Sequence, residues 1–336
     1  MTKSLFLGTA AAITLLAGAA SAQTLAQVQS DDVLKCGVNS GLAGFSAPDA
    51  DGRWEGFDVA QCRAIAAAVL GDQDKIEFVP TTGETRFTAL ANNQVDLLAR
   101  NTTWTFTRDV DLKFTFTGIN YYDGQGFMVP AGSVESALDL SGATICIQTG
   151  TTTELNLADY FKRHGMEYQA VPVQTNAEAD QQFQAGACDA YTTDASGLAA
   201  SRATYVDPSA WVILPEIISK EPLGPLVRHG DDQWADIVRW VGVALVEAEE
   251  LGITSENVEE MAASENPSAR RLLGTEGNLG EQLGLDADWA KRAIMATGNY
   301  GEIFARTIGE GTVSNIPRGL NALWTEGGLQ YSPPFR

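Results

Sequence analysis

Basic side chains are scarce in this chain of 336 residues, where 22 lysines and arginines stand against 43 aspartates and glutamates and the net charge is −21 at pH 7. So few cations cannot neutralise a run of phosphates, which argues against nucleic acid as a partner. The same charge favours solubility and opposes non-specific adhesion to membranes.

Long apolar runs are also missing beyond the first 22 residues. Lys3 precedes an apolar core from Leu5 to Ala17, and Ala20-Ser21-Ala22 supplies a small-residue cleavage pattern, so the sequence predicts a secretory signal peptide cleaved after Ala22. No cysteine follows that point directly, which argues against a lipid anchor. We therefore expect a soluble exported protein.

Histidine and cysteine are rare. The two histidines, His164 and His229, lie outside every stretch that we expect to bind a ligand, and no nucleophile–base pair or pair of carboxylates is recognisable. The four cysteines are too far apart for a metal site, so no metal and no cofactor is expected. An enzyme therefore remains only an alternative interpretation.

The first third of the chain alternates between the strand and helix periods. Such an order predicts a parallel sheet flanked by helices. The predicted elements are a strand over 33–38, a helix opened by Gly56-Phe57-Asp58, a strand over 76–79, a helix over 84–92 and a strand over 95–99.

A second unit of the same order follows, with strands over 144–148, 168–173 and 189–192 and helices from Thr151 and over 177–185. Glycine- and proline-bearing stretches flank it, so we predict a two-lobed α/β clamshell with two crossovers. The predicted boundaries are a signal peptide over 1–22, lobe 1 over 23–120, a hinge over 121–127, lobe 2 over 128–221, a hinge over 222–228, and a return to lobe 1 with a C-terminal helical extension over 229–336.

Four cysteines in an exported chain suggest two disulfides, for which three connectivities exist. We favour Cys36–Cys62 and Cys146–Cys188, because each bridge would then stay inside one lobe. Four buried free thiols are the alternative.

The stretch from Arg100 to Asp109, RNTTWTFTRD, directly follows the third predicted strand. Ligands bind at that end of strands in open α/β sheets, and hydroxyls with a guanidinium suit a molecule that carries a carboxylate and an ammonium. The alternative is a polar loop in which Arg108 pairs with Asp109 or Asp111 at the surface.

Several motifs together resemble the periplasmic polar amino-acid-binding proteins of ABC importers, and most of all those for glutamate, glutamine, aspartate and asparagine. The resemblance covers the mature chain. The motifs are GFDV at 56–59, GETRF at 83–87, TWTFTR at 103–108, YYDGQGF at 121–127, QTGTT at 148–152 and TTD at 192–194.

The resemblance implies a type II clamshell that closes on its ligand in the periplasm. The implied partners are an amino acid and the membrane permease, and the protein is expected to be a monomer. A dehydratase or lyase on the same fold, or a ligand-dependent receptor partner, are the alternatives.

The resemblance also implies roles for individual residues. Arg108 matches the arginine that binds the α-carboxylate, and its planar fork can hold both oxygens. Thr151 and Thr152 would add the N-terminus of a helix to the same carboxylate, or would only cap that helix in a capping box with Glu154.

Acceptors for the ammonium would come from Asp194, from the Thr103 hydroxyl and from the backbone carbonyl of Asn101. Asp194 could instead act only as a helix N-cap.

Selectivity for the ligand side chain falls to Arg86, with Thr193 as a second candidate. The alternative for Arg86 is a surface pair with Glu84. Leu42 stands where some members of the family place an aromatic over the ligand, and Phe45 and Trp104 are expected to be core residues.

Overall fold

The computed structural model describes residues 24–336, so the predicted signal peptide lies outside the described residues. Among residues 24–336, no helix is both long and apolar enough to cross a membrane. The strands are short. In chain order they are β1 Leu34–Asn39, β2 Ala47–Pro48, β3 Trp54–Glu55, β4 Ile76–Thr81, β5 Leu97–Leu98, β6 Phe114–Phe116, β7 Tyr121–Asp123, β8 Gln125–Pro130, β9 Thr144–Gln148, β10 Gln169–Val173, β11 Ala190–Asp194, β12 Trp211–Ile213, β13 Glu221–Leu223 and β14 Leu226–Arg228.

The helices cover the two main sheets and continue to the C-terminus. They are α1 Thr24–Asp31, α2 Phe57–Leu70, α3 Arg86–Ala91, α4 Thr152–His164, α5 Asn176–Gln184, α6 Ala195–Ala203, α7 Asp232–Glu250, α8 Val258–Ala262, α9 Pro267–Leu272, α10 Leu279–Leu283, α11 Trp289–Thr297 and α12 Tyr300–Thr307.

Two five-stranded sheets carry the fold, in the orders β4-β1-β5-β14-β6 and β10-β9-β11-β8-β12. In each sheet the three strands of one βαβαβ unit are parallel. The first strand after a crossover, β14 or β8, joins them antiparallel. The predicted two-lobed α/β architecture is confirmed. We call the first sheet with its helices lobe 1 and the second sheet with its helices lobe 2.

The chain passes twice between the lobes. β7 lies in the first crossover and β13 in the second, and the two pair antiparallel, with Tyr122 opposite Pro222. Their approach is close, because a Cβ atom on Gly224 would stand 1.9 Å from the backbone oxygen of Gly118. The crossovers therefore form one two-stranded connection between the lobes, the segment that the sequence predicts as the hinge and that keeps this name below.

Lobe 1 owes its large core to α2, which is apolar on nearly all sides. Such a helix must be covered all round. α7 and α11 pack on it, and their Trp234 and Trp289 are each 1% exposed. α7 begins and ends where the sequence pattern predicts, at Asp232 and Glu250.

The segment from Val258 to the C-terminus forms an extension that packs on lobe 1 and reaches the hinge. The side chain of Asn321 accepts from the backbone nitrogen of Tyr122 at 2.7 Å and donates to its carbonyl at 3.1 Å. The Tyr300 hydroxyl donates to the carbonyl of Asn120 at 2.9 Å. The extension thus binds the first crossover on the edge that β13 leaves free.

Each lobe contains one disulfide. Cys36 in β1 is bonded to Cys62 in α2, and Cys146 in β9 is bonded to Cys188 just before β11, with Cα–Cα distances of 6.3 and 5.5 Å. These are the pairings that the sequence favoured. Because both cysteines of each pair belong to the same lobe, neither bridge spans the cleft.

Candidate ligand-binding cleft

The cleft lies where the carboxyl ends of the parallel strands of the two lobes face each other. Three side-chain contacts already cross it. Asn39 Nδ2 donates to Asn176 Oδ1 at 3.3 Å, Arg86 Nη2 donates to the carbonyl of Gly150 at 3.2 Å, and the hydroxyls of Thr103 and Thr152 are 3.3 Å apart. The structure therefore shows the lobes in contact.

Arg108 is buried in one turn of π-helix over Thr107–Asp111 and donates through Nη1 to the carbonyl of Thr103 at 2.8 Å. The guanidinium also lies over the ring of Phe87, 5.2 Å from its centroid. Burial lowers the pKa of Arg108 to about 10, opposed by Glu221 and Asp194. The surface alternative is wrong, because Arg108 turns inward and away from the acidic residues of its own turn.

Trp104 corrects a second expectation. Its ring is 39% exposed and stacks on Phe116 at 5.5 Å between centroids, while its Nε1 donates to Asp109 at 2.6 Å. Trp104 is therefore not a core residue. Phe45, at 1% exposure, is one, and Leu42 is buried as well.

Arg86 opens α3 two residues later than predicted, because Thr82 and Thr85 form a hydrogen-bonded turn before it. Its guanidinium is buried, contacts the Thr102 hydroxyl at 3.5 Å and leaves Nε without a partner. Burial holds its pKa well below the usual value, and Arg100 and Arg108 lower it further. The surface pair with Glu84 is not formed.

Arg100 is the third buried arginine, and the sequence assigned it no role. It is 2% exposed, and both Nε and Nη2 lack a hydrogen-bond partner among the described residues. Burial lowers its pKa to about 10, and the nearby Asp58 opposes the shift. None of the ion pairs formed within residues 24–336 includes Arg86, Arg100 or Arg108.

The chain between Arg100 and Thr103 has an unusual backbone. Asn101 adopts φ +43°, a left-handed conformation that asparagine tolerates better than most residues. Its N–H donates to Asp58 Oδ2 at 3.1 Å, and its side-chain oxygen accepts from Asn39 at 3.2 Å. The side chain of Asn101 thus holds the turn in place, a role that the sequence did not predict.

Lobe 2 contributes the N-terminus of α4. Thr151 is its N-cap residue but the predicted capping box is not formed: the Thr151 hydroxyl donates to the carbonyl of Gln148 at 2.6 Å, and Glu154 accepts from the backbone nitrogen of Gly150. A box needs the threonine oxygen turned to the helix, and here it is turned back to β9. The first N–H groups of α4 therefore receive no side-chain cap from Thr151.

Asp194 ends β11 and precedes α6, and Thr193 is buried beside it. Asp194 is the N-cap residue of α6 by position, but its side chain makes no capping bond. Burial raises its pKa well above the usual value, Asp123 and Glu221 raise it further, and Arg108 and Arg86 oppose them. Its carboxyl group is therefore available to the cleft.

Glu221 is the residue that sequence reasoning missed. It lies in β13, is 1% exposed and accepts hydrogen bonds from Thr103 and Thr152, the two threonines that face each other across the cleft. An acidic residue at the predicted end of lobe 2 carries no local signal of this role, since its partners lie 118 and 69 positions away along the chain.

Asp58 gives a prediction on stability. Burial raises its pKa from 3.8 to about 7. Between roughly pH 4 and pH 7 the folded protein holds a proton that the unfolded chain has released, so the free energy of unfolding decreases as the pH rises through this range. We expect the stability advantage of Asp58→Asn over the parent to be larger at pH 8 than at pH 5, by about 1–3 kcal/mol.

The measurement is thermal or urea unfolding of the ligand-free protein at both pH values. Asp74→Asn, which removes a mostly exposed carboxylate paired with Arg63, is the control. Parallel pH profiles for the parent and Asp58→Asn would contradict the assignment of the buried proton to Asp58.

Two lobes, a two-stranded hinge and a cleft lined by buried arginines and carboxylates define a protein that encloses a small charged solute. The sequence model of the bacterial extracellular solute-binding proteins, family 3, matches residues 34–257, and the chain belongs to this family. The extension after Val258 thus lies beyond the part that the family model describes.

Individual relatives match over nearly the whole chain. The glutamate/glutamine/aspartate/asparagine-binding protein of Rhodobacter capsulatus is 62% identical and covers 100% of both chains. A general L-amino acid-binding periplasmic protein of Rhizobium johnstonii is 56% identical over 97% of both. Among solved structures, a periplasmic binding protein of Brucella ovis with glutathione bound is 54% identical, with a TM-score of 0.92 over 94% of this chain and 100% of that one.

Proposed function

We propose that the protein is the periplasmic solute-binding component of an ABC importer for polar L-amino acids, namely glutamate, glutamine, aspartate and asparagine. It would be exported with cleavage after Ala22, act as a monomer, close about hinges at 121–127 and 222–228, and deliver its ligand to the permease subunits without transforming it. The observation that carries this proposal is the set of buried arginines without carboxylate partners, opposite a buried Asp194.

Each part of an α-amino acid finds a complement in the cleft. Arg108 would bind both α-carboxylate oxygens, assisted by the backbone N–H groups at the N-terminus of α4, at Thr151 and Thr152. Asp194, the Thr103 oxygen and the Asn101 carbonyl would accept from the ammonium. A buried guanidinium without a partner anion is costly, so a carboxylate that fills this place is bound strongly.

Contacts from both lobes make closure dependent on the ligand. Arg108 and Thr103 belong to lobe 1, whereas Asp194 and Thr152 belong to lobe 2, so the full set of contacts exists only in the closed form. Calorimetric titration of the purified mature protein with the common amino acids tests the proposal. Sub-micromolar to micromolar binding of acidic and amide amino acids is expected, and no binding to any amino acid would overturn it.

Arg86 should determine which side chains are accepted. We expect Arg86→Ala to reduce affinity for glutamate and aspartate by about 10–100-fold, because a charge-assisted hydrogen bond contributes about 1.5–3 kcal/mol. Neutral amino acids that bind the parent should lose much less. Titration of glutamate, glutamine and alanine measures the difference. An equal loss for all ligands would mean that Arg86 contacts the part that all amino acids share, not the side chain.

Glutathione is a second candidate ligand. The relative from Brucella ovis was solved with glutathione bound, and Arg100 offers two unpartnered guanidinium nitrogens beyond the two arginines that a single dicarboxylic amino acid would use. A γ-glutamyl peptide has an α-amino-acid head and a further carboxylate at its other end. Competition between glutathione and glutamate in one titration distinguishes a shared site from exclusion of the peptide.

The enzymatic alternative has its own test. Incubation of the purified protein with bound glutamate or glutamine, followed by analysis of the products, should recover the ligand unchanged. Turnover would contradict a purely binding function.

A further inference from the structure

Glu221 accepts hydrogen bonds from both lobes and from the second crossover. Its Oε2 accepts from Thr103 of lobe 1 at 2.5 Å and from Thr152 of lobe 2 at 2.9 Å. Its Oε1 accepts from Asn156 of lobe 2 at 2.6 Å and from Ser219 of the second crossover at 2.7 Å. A hinge residue that served only the hinge would not reach side chains of both lobes.

These bonds determine how the two threonine hydroxyls are oriented. A carboxylate can only accept, so Thr103 and Thr152 must each donate their single hydrogen to Glu221. The two hydroxyl oxygens are 3.3 Å apart and have no hydrogen left to share with each other. Their lone pairs remain free, which makes them acceptors.

We propose that Glu221 is a positioning residue for the ligand's ammonium group: it holds the Thr103 and Thr152 hydroxyls as a pair of acceptors and places a negative charge behind them. This inference rests on the proposed function and deepens it. The ammonium has three donors and no acceptor, so a hydroxyl turned the other way would present a hydrogen to it and repel it.

The same arrangement links recognition to closure. Thr103 comes from lobe 1 and Thr152 from the N-terminus of α4 in lobe 2, whereas Glu221 lies in the hinge. The pair of acceptors is therefore complete only when the lobes meet. A ligand with an ammonium group stabilises the closed form through this pair, and a ligand without one does not.

Glu221→Gln tests the proposal. A carboxamide has one oxygen and two N–H donors, so it cannot accept from all four donors. Even where its oxygen keeps both threonine hydroxyls, it removes the negative charge behind them. We expect affinity for L-glutamate to decrease about 10–100-fold, the usual range for a hydrogen bond to a charged group. Affinity for glutarate, which has both carboxylates but lacks the ammonium, should stay unchanged or rise.

Isothermal titration of glutamate and competition by glutarate give the ratio of the two affinities. A structural role alone would lower both affinities equally and leave the ratio unchanged. Equal losses, or an unchanged affinity for glutamate, would overturn the proposal.

Two further variants complete the experiment. Thr152→Val removes one acceptor but keeps Glu221, so it should also lower glutamate affinity, and an unchanged affinity would contradict the inference even if Glu221→Gln fails to fold. Glu216→Gln, which removes a carboxylate that accepts from Ser136 outside the cleft, is the control and should bind like the parent. A parent protein that binds no amino acid would refute the proposed function, whereas normal parent binding with an unaffected Glu221→Gln would refute this inference alone.

Discussion

Arg108→Ala is expected to weaken the binding of every amino acid severely. The guanidinium is buried, bonded to the Thr103 carbonyl and placed near Glu221 and Asp194, so its loss removes the partner of the ligand carboxylate and leaves acidic groups without a cation. Truncation of one partner of a buried charge pair costs about 2–5 kcal/mol, which is roughly 30–5,000-fold in affinity. Titration calorimetry with glutamate, glutamine and asparagine measures the effect.

Arg108→Lys separates charge from shape. Lysine keeps the positive charge but cannot hold two carboxylate oxygens in a planar fork, so it should recover only part of the lost affinity. Arg63→Ala, which removes an arginine whose ion pair with Asp74 lies at the surface, should bind like the parent. Near-normal affinity in Arg108→Ala would mean that Arg86 or Arg100, and not Arg108, binds the α-carboxylate of the ligand.

Gly83→Ala should impair closure and leave the separate lobes intact. Gly83 follows β4 in lobe 1, and a Cβ atom there would stand 2.5 Å from the carbonyl oxygen of Thr149 and 3.1 Å from Thr151, both in lobe 2. The clash therefore exists only while the lobes are in contact. Overpacking of this kind costs about 1–3 kcal/mol, so affinity should fall about 5–150-fold.

Two measurements distinguish impaired closure from general destabilisation. The melting temperature of the ligand-free variant should match the parent, and small-angle scattering with saturating ligand should show less compaction than the parent. A lowered melting temperature with normal affinity would mean that Gly83 serves the fold of lobe 1 instead.

Local patterns predicted a large part of the fold. Both βαβαβ units follow from alternating strand and helix periods, and the bounds of α7 follow from its amphipathic spacing and flanking signals. The pairing of β14 with β5 and of β7 with β13 could not be predicted in this way. These strands are only two or three residues long, and their partners lie in distant parts of the chain.

The candidate site likewise contains residues that the sequence predicted and residues that it did not. Five candidate residues follow predicted strands, so their position at the cleft follows from topology: Arg86, Arg108, Thr103, Thr152 and Asp194. Their roles stay predictions until they are tested. For Glu221 and Arg100 the sequence predicted no role in the site. Glu221 has partners from both lobes, and Arg100 becomes notable only because burial leaves its nitrogens unpartnered, which only the packed structure reveals.

The two bonds between Asn321 and Tyr122 have a mechanical consequence. They bind the first crossover, as far as Tyr122, to the extension that packs on lobe 1. From Gly124 onwards the same segment is bound to lobe 2, because the backbone N–H of Ala195 in α6 donates to the Gly124 carbonyl at 2.8 Å. We therefore expect rotation between the lobes to be concentrated in the bonds between Tyr122 and Gly124.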